Sequence, residues 1–110
     1  MRAGKKQQLE RAGWAVGDAS DFLDLSAEER RFIDVKLALA EGVRRRRERL
    51  GLTQSALAER LGSSQSRVAK MEAAHRSVST DLLLRSLFRL GARPADVARL
   101  LTTKSRVDAA

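Results

Sequence analysis

The sequence predicts an all-α fold of about five helices. Apolar residues recur every three or four positions through most of the chain, hydroxyl residues stand where helix N-caps are needed, and glycines follow the last apolar residue of several segments. No segment shows the apolar and polar alternation of a strand, and no internal repeat stands out. With 110 residues, the chain can form one domain with a modest core and short appendages.

The first strong helix signal begins at Ser26. Glu29 follows three residues later, which is the spacing of a capping box. Apolar residues then recur at helical spacing, at Ile33, Leu37, Ala40 and Val43. Gly51 is a suitable stop, and Gly42 leaves open whether the segment is one long helix or two.

Two short helices joined by a tight turn are predicted next. Thr53 can cap the first, whose apolar positions are Ala56, Leu57 and Leu61. Gly62 can end that helix in a left-handed conformation, and either Ser63 or Ser64 can cap the second. The second helix has a narrow apolar stripe at Val68 and Met71 and is otherwise polar near its start. Such a helix is suited to the major groove of DNA.

The last two predicted helices complete the apolar part of the chain. Ser79 can cap a helix that carries the broadest apolar face, formed by Leu83, Leu84, Leu87, Phe88 and Leu90. Gly91 ends it, and Pro94 suits the first turn of a final helix whose apolar residues are Val97, Leu100 and Leu101. We therefore expect three parts: a partly flexible extension at residues 1–25 that is a candidate partner-binding segment, a domain at residues 26–102, and a loose tail at residues 103–110.

The charge of the chain favours a polyanionic partner. The net charge is +8 and the isoelectric point is near 11.2. The charge is unevenly placed, because residues 17–34 carry −4 whereas residues 35–76 carry +6. Taken alone, this balance suits DNA, RNA or an anionic membrane surface.

Several function classes are disfavoured. The chain has no cysteine and one histidine, and no motif pairs histidine with carboxylates, so no metal or other cofactor is expected. No glycine-rich phosphate loop and no nucleophile with its base is recognisable, so an enzyme is not expected. The N-terminus lacks the apolar run of a signal peptide, and no stretch is long enough to span a membrane, so we expect a soluble cytoplasmic protein.

Residues 51–72 resemble the helix-turn-helix of the lambda repressor and Cro family, also called the XRE family. The matching elements are Leu52-Thr53-Gln54, Leu57-Ala58, Leu61-Gly62, the Ser64-Gln65-Ser66 start of the second helix, Val68 and Glu72. The resemblance implies a five-helix lambda-repressor-like domain that binds double-stranded DNA, with Gln54 on a phosphate and the early residues of the second helix on bases. We expect base contacts from Gln65, Ser66, Arg67 and Lys70, and phosphate contacts from Thr53, Gln54, Ser64 and Arg76.

The same resemblance implies two structural roles. Of the four arginines at 44–47, Arg47 is in phase with the apolar face, and the family commonly pairs an arginine here with the glutamate at the position of Glu72. In this family, the helices that follow the second helix of the motif often supply the dimer contact. The dimer candidates are therefore Leu90, Val97, Leu100 and Leu101. The chain departs from the family after Glu72, because Ala73-Ala74 stands where a turn with Asn-Gly or Gly is usual.

A second resemblance concerns the layout of the chain. A short extension containing residues 17–29, GDASDFLDLSAEE, precedes the XRE motif, as in small antitoxins encoded beside RelE or HigB type toxins. Such toxins are usually basic, so the acidic segment could cover one, with Trp14, Phe22, Leu23 and Leu25 as apolar contacts. Trp14 suits an intramolecular anchor equally well.

Four interpretations follow from these patterns. The first is an autoregulating antitoxin that binds a palindromic operator as a homodimer and neutralises a RelE/HigB-like toxin. The second is a stand-alone XRE-family transcriptional regulator. The third is an interaction module that keeps the fold without binding DNA, against which the set of polar residues on the second helix argues. A helical bundle with no ligand is the remaining alternative.

Overall fold

The computed structural model describes residues 26–102 and confirms the all-α fold. Within this range there are five helices and no strand: α1 (Ala27–Arg49), α2 (Gln54–Leu61), α3 (Gln65–Glu72), α4 (Thr80–Arg89) and α5 (Pro94–Thr102). The predicted extension and tail lie outside the described residues. The toxin-contact candidates Trp14, Phe22, Leu23 and Leu25 lie outside them too.

Helix α1 is a single helix that begins with a complete capping box. The Glu29 backbone N–H donates to Ser26 Oγ at 3.0 Å, and the Ser26 N–H donates to Glu29 Oε1 at 3.2 Å. Gly42 does not divide the helix. A Cβ at this position would lie 2.5 Å from Leu100 Cδ1, so the missing side chain allows α5 to approach α1 closely.

The core lies between α1 and the four shorter helices that pack on it or on each other. Its largest fully buried side chains are Leu39, Leu57, Met71, Leu83, Leu87, Val43, Val68 and Val78. The buried face of α1 differs in part from the expected one, because Leu37 is only partly buried whereas Leu39 and Lys36 are buried. Burial lowers the pKa of the Lys36 ammonium group, since removal from water disfavours the charged form.

The turns form where glycine and hydroxyl residues predict them. Gly62 adopts a left-handed conformation with φ +66° at the end of α2, and Ser64, rather than Ser63, caps α3. Ser79 caps α4 by accepting the Leu82 N–H at 3.0 Å. These local signals fix the short connections that hold α2, α3 and α4 in place.

The expected dimer residues near the C-terminus divide into two groups. Leu90 and Val97 are buried in the core of the single chain, so they offer little surface to a second copy in this conformation. Leu100 is partly buried and packs against Gly42. Leu101 is 45% exposed. The physical reason is that α4 and α5 need most of their apolar surface to cover α1.

Candidate nucleic-acid interface

Helices α2 and α3 each begin at a hydroxyl cap exposed to solvent. Thr53 Oγ1 accepts the Ala56 N–H at 3.0 Å, and Ser64 Oγ accepts the Arg67 N–H at 3.2 Å. A hydroxyl that accepts in this way keeps its own hydrogen, so both caps can still donate to a phosphate oxygen. The helix termini add unpaired N–H groups and partial positive charge, which favour anions.

Helix α3 has one face in the core and the other in solvent. Val68 and Met71 are fully buried beneath it. The four residues expected to contact bases are all exposed: Gln65, Ser66, Arg67 and Lys70. At about 100° per residue, Ser66 and Lys70 point away from Val68, while Gln65 and Arg67 flank them. The structure therefore brings the predicted base-contact residues together on a single two-turn surface.

Three of the four phosphate candidates are exposed beside this surface, namely Thr53, Ser64 and Arg76. The fourth, Gln54, is half-buried at the first position of α2. Its side chain has hydrogen-bond partners at both ends of α3, which the sequence alone did not indicate.

The expected ion pair between Arg47 and Glu72 is present. Arg47 Nε donates to Glu72 Oε2 at 2.5 Å, and Nη2 donates to Oε1 at 3.0 Å. Arg47 Nη1 also donates to the Leu52 carbonyl at 2.8 Å, so the guanidinium binds the α1–α2 connection as well. The hydrogen bond with Glu72 raises the pKa of Arg47 and keeps it charged. This pair ties α1 to the end of α3.

Two glutamines extend this pair to the exposed surface. Gln54 Nε2 donates to Glu72 Oε1 at 3.1 Å, and Gln65 Nε2 donates to Gln54 Oε1 at 2.7 Å. Sequence reasoning missed this chain of hydrogen bonds. The available signal is that both glutamines stand directly after an N-cap, where their side chains can reach across the tight turn.

The other three arginines of the 44–47 run do not form a single phosphate-binding face. Arg44 and Arg45 both bind Glu41, at 3.0 and 2.9 Å. Arg46 lies 3.8 Å from Asp96 at the start of α5. Each arginine of the run therefore has a carboxylate partner on α1, α3 or α5.

The segment after α3 forms a turn without glycine or asparagine. Helix α3 ends at Glu72, with Ala73 as its C-cap, and Ala74 follows with φ +55°. Ala74 is buried, so its methyl group packs in the core although the backbone is in the left-handed region. His75 Nδ1 lies 2.7 Å from Ser77 Oγ and accepts the Ser77 N–H at 3.1 Å. Arg76 is exposed in this turn, four residues after the end of α3.

Residues 26–102 contain neither a metal-binding cluster nor a membrane-spanning helix. No group of three or more histidine, cysteine, aspartate or glutamate side chains is arranged to hold a metal ion. In the same part of the chain, no helix is both long and apolar enough to cross a membrane.

A comparison with known protein families points to the part of the chain that contains α2 and α3. A family model described as helix-turn-helix matches residues 43–85, which run from the last turns of α1 to the middle of α4. No curated protein and no solved structure matches the chain. The matched residues contain α2, α3, their connection and both partners of the Arg47–Glu72 pair. Over residues 43–85 the chain is therefore similar to an XRE-type helix-turn-helix.

Proposed function

We propose that this protein is a sequence-specific DNA-binding repressor whose α3 enters the major groove. The observation that carries the proposal is the exposed face of α3, where Gln65, Ser66, Arg67 and Lys70 stand together at the start of a helix anchored by two buried apolar residues. Amide, hydroxyl and cationic side chains are those that bind base edges in the major groove. The capped starts of α2 and α3 lie beside this face and can bind the phosphates.

The charge of the domain supplies the sequence-independent part of binding. Residues 35–76 carry a net charge of +6, and Arg67, Lys70 and Arg76 are exposed on or beside α3. Neutralising phosphates releases counterions, so affinity should fall steeply as the salt concentration rises. Base contacts then select the site among the many that the charge alone would bind.

A homodimer on a palindromic operator completes the proposal. One helix of this length contacts only a few base pairs, and two copies related by a two-fold axis read half-sites about 34 Å apart. Leu101 is the exposed member of the expected dimer residues and is our candidate contact.

We further propose that the repressor is the antitoxin of a RelE/HigB-like toxin and controls its own promoter. The support is the acidic stretch at residues 17–34, together with two apolar side chains on the first turns of α1. Phe32 is 48% exposed and Val35 is 38% exposed, and they lie three residues apart on the same side of the helix. An acidic surface with apolar anchors fits a basic nuclease. A stand-alone regulator would need only α3 and the dimer contact.

Selection of genomic fragments tests the DNA-binding proposal. Fragments of the source genome are incubated with the purified protein at near-physiological salt, and the retained fragments are sequenced. The control is the Gln65→Ala/Lys70→Ala variant, which keeps the buried face of α3. We expect retention of a short inverted repeat upstream of the protein's own gene, and loss of that selection in the variant. Indiscriminate retention by both proteins would refute sequence-specific binding.

Co-expression with the neighbouring gene tests the antitoxin proposal. We expect the neighbouring product to arrest growth alone, and the arrest to be relieved by the wild-type chain. The Phe32→Ser/Val35→Ser variant should relieve it less, while Leu50→Ser, at an exposed leucine near the other end of α1, should act like the wild type. A neighbouring product that is harmless and does not bind would leave the stand-alone regulator as the function.

A further inference from the structure

We infer that a groove beside α2 and α3 binds a small amphipathic monocarboxylate, of the class of a medium-chain fatty acid, and that this ligand weakens DNA binding. The groove has a volume of about 480 Å³ and lies between α4 and the α2–α3 pair. We call it the α4 groove. Pockets that bind small molecules usually measure about 300 to 1,000 Å³. The effect on DNA rests on the proposed function, whereas the ligand site itself does not.

The lining of the α4 groove is mainly apolar. Its apolar residues are Leu61, Met71, Leu82 and Phe88. Phe88 is 47% exposed and Leu82 is half-buried, so the chain leaves part of this apolar surface in contact with water. No residue of α1 or α5 lines the groove. A ligand with an apolar body can therefore cover Phe88 and Leu82 without opening the core.

Ser86 supplies a polar group within this apolar lining. It is only 3% exposed and lines the groove from the middle of α4. A serine inside a helix often donates to the carbonyl four residues earlier. The Ser86 hydroxyl instead has no hydrogen-bond partner within residues 26–102. Because a buried hydroxyl without a partner is costly, a ligand oxygen that accepts from Ser86 would be favoured.

The charge at the edge of the groove fits one carboxylate. Arg85 and Arg89 line the groove, and Arg85 is paired with Asp81 at 3.0 Å, so two cations and one anion leave a net charge of +1. Arg89 follows Ser86 by three residues on the same side of α4, so the two can bind the two oxygens of one carboxylate. The chain's own residues 17–25 carry three aspartates, which exceed this charge. A small monocarboxylate is therefore the better match.

The α4 groove contacts each part of the helix-turn-helix. Leu61 is the last residue of α2, Ser63 lies in the connection, and Met71 is on the buried side of α3. Arg89 Nη1 donates to the Leu61 carbonyl at 3.1 Å, which ties the end of α2 to α4. A carboxylate is a stronger acceptor than a carbonyl, so the ligand draws Arg89 away from Leu61. The connection loses this tie, and the arrangement of α2 and α3 that binds DNA becomes less favourable.

Titration of the full chain with decanoate tests the site. Decanoate is added below its micelle concentration, and binding is followed by amide NMR shifts. We expect saturable shifts at the residues that line the α4 groove, and loss of these shifts with Leu82→Trp, which fills it. Leu50→Trp, which places the same side chain at an exposed leucine outside the groove, should bind decanoate like the wild type. Shifts that do not saturate, or that persist in Leu82→Trp, would mean surface adsorption and overturn the proposal.

Variation of the ligand and of the polar residues tests the chemistry. Octanoate should bind roughly tenfold more weakly than decanoate, because each methylene contributes about threefold to fourfold. Ser86→Ala and Arg89→Gln should each weaken decanoate binding roughly threefold to tenfold. Arg31→Gln, at an exposed arginine of α1, should not. Equal binding of decanoate and decylammonium, or groove shifts caused by Phe22→Ser without any ligand, would overturn the proposal, the latter because residues 17–25 would be the occupant.

Operator binding tests the effect on DNA. Saturating decanoate should lower the affinity of the full chain for the selected operator by about fivefold or more, and the operator should lower the affinity for decanoate by the same factor. Operator binding by Leu82→Trp should not respond to decanoate. Unchanged operator affinity with the groove saturated would overturn the effect on DNA. Failure of the proposed function is a different result, since the wild type would then select no operator while the decanoate shifts remained.

Discussion

Arg47 and Glu72, 25 residues apart in sequence, form a two-bond ion pair that is largely shielded from water. The side chains are 14% and 5% exposed, and the Leu52 carbonyl and Gln54 amide provide further hydrogen bonds. A charge removed from water is costly unless it is paired and hydrogen-bonded. The position of α3 on α1 therefore depends on both partners being present.

Removing one partner of this pair should destabilise the domain strongly. Glu72→Ala leaves the Arg47 guanidinium without its carboxylate, so we expect a loss of about 3 kcal/mol in the free energy of unfolding. The matched control is Glu48→Ala on α1, whose carboxylate is exposed and lies 3.8 Å from Arg44. That variant should change the free energy by no more than about 0.5 kcal/mol. Urea denaturation measures both, and similar losses for the two variants would contradict the account.

We expect glycine to be required at position 62 because of its backbone conformation, and not because a side chain would clash with its neighbours. Its φ is +66°, and no atom lies within 4 Å of a Cβ built on it. Gly62→Ala should therefore cost about 1 kcal/mol in the free energy of unfolding, through backbone strain alone. Gly62→Asn should cost less, because asparagine tolerates the left-handed region better than alanine. A loss that is larger for asparagine would show that packing, not conformation, decides this position.

Asp96 should make stability depend on pH in the acidic range. Its carboxylate accepts the Arg93 backbone N–H at 2.8 Å and binds the side chains of Arg93 and Arg99. The backbone hydrogen bond from Arg93, followed by its side chain, lowers the pKa of Asp96 below its ordinary value of 3.8. The stabilisation is therefore complete above pH 3.8 and is lost as the pH falls through the lowered pKa.

The measurement is the melting temperature of the wild type and Asp96→Asn across this range. The wild type should be more stable at neutral pH, and the difference should shrink once Asp96 is protonated at low pH. A difference that stays constant at all pH values would show that the charge of Asp96 does not stabilise the start of α5.

Leu101 should control self-association. An exposed leucine in a two-fold contact meets its own copy or a nearby apolar group, so Leu101→Glu would bury a charge and should shift a dimer toward monomer. Leu50→Glu is the control, because Leu50 is exposed to a similar degree at the end of α1. Sedimentation equilibrium measures the mass of each protein. A monomeric wild type, or equal dissociation of both variants, would contradict the proposed contact.

Local features of the fold could be predicted from the sequence, and features that depend on packing between helices could not. The caps at Ser26 and Ser79 and the left-handed Gly62 depend on residues a few positions away, so their patterns are readable. The burial of Lys36 and Leu90 depends on how α4 and α5 lie on α1.

In the candidate DNA-binding site, too, local features could be predicted and contacts between helices could not. The exposed residues of α3 could be listed from their spacing, since Val68 and Met71 mark the buried side of the helix. The Arg47–Glu72 pair was expected because of the family resemblance. The contacts of Gln54 with Glu72 and Gln65 join the start of α2 to both ends of α3, and no sequence period indicates them.

Chemical protection of the selected operator tests most directly whether α3 lies in the major groove. Dimethyl sulfate methylates guanine N7 in the major groove and adenine N3 in the minor groove. We predict protection of guanine N7 in two patches about one helical turn apart on one face of the duplex, and its loss with Gln65→Ala/Lys70→Ala. Protection of adenine N3 with guanine N7 left reactive would contradict the account, because α3 would then not be the element that reads DNA.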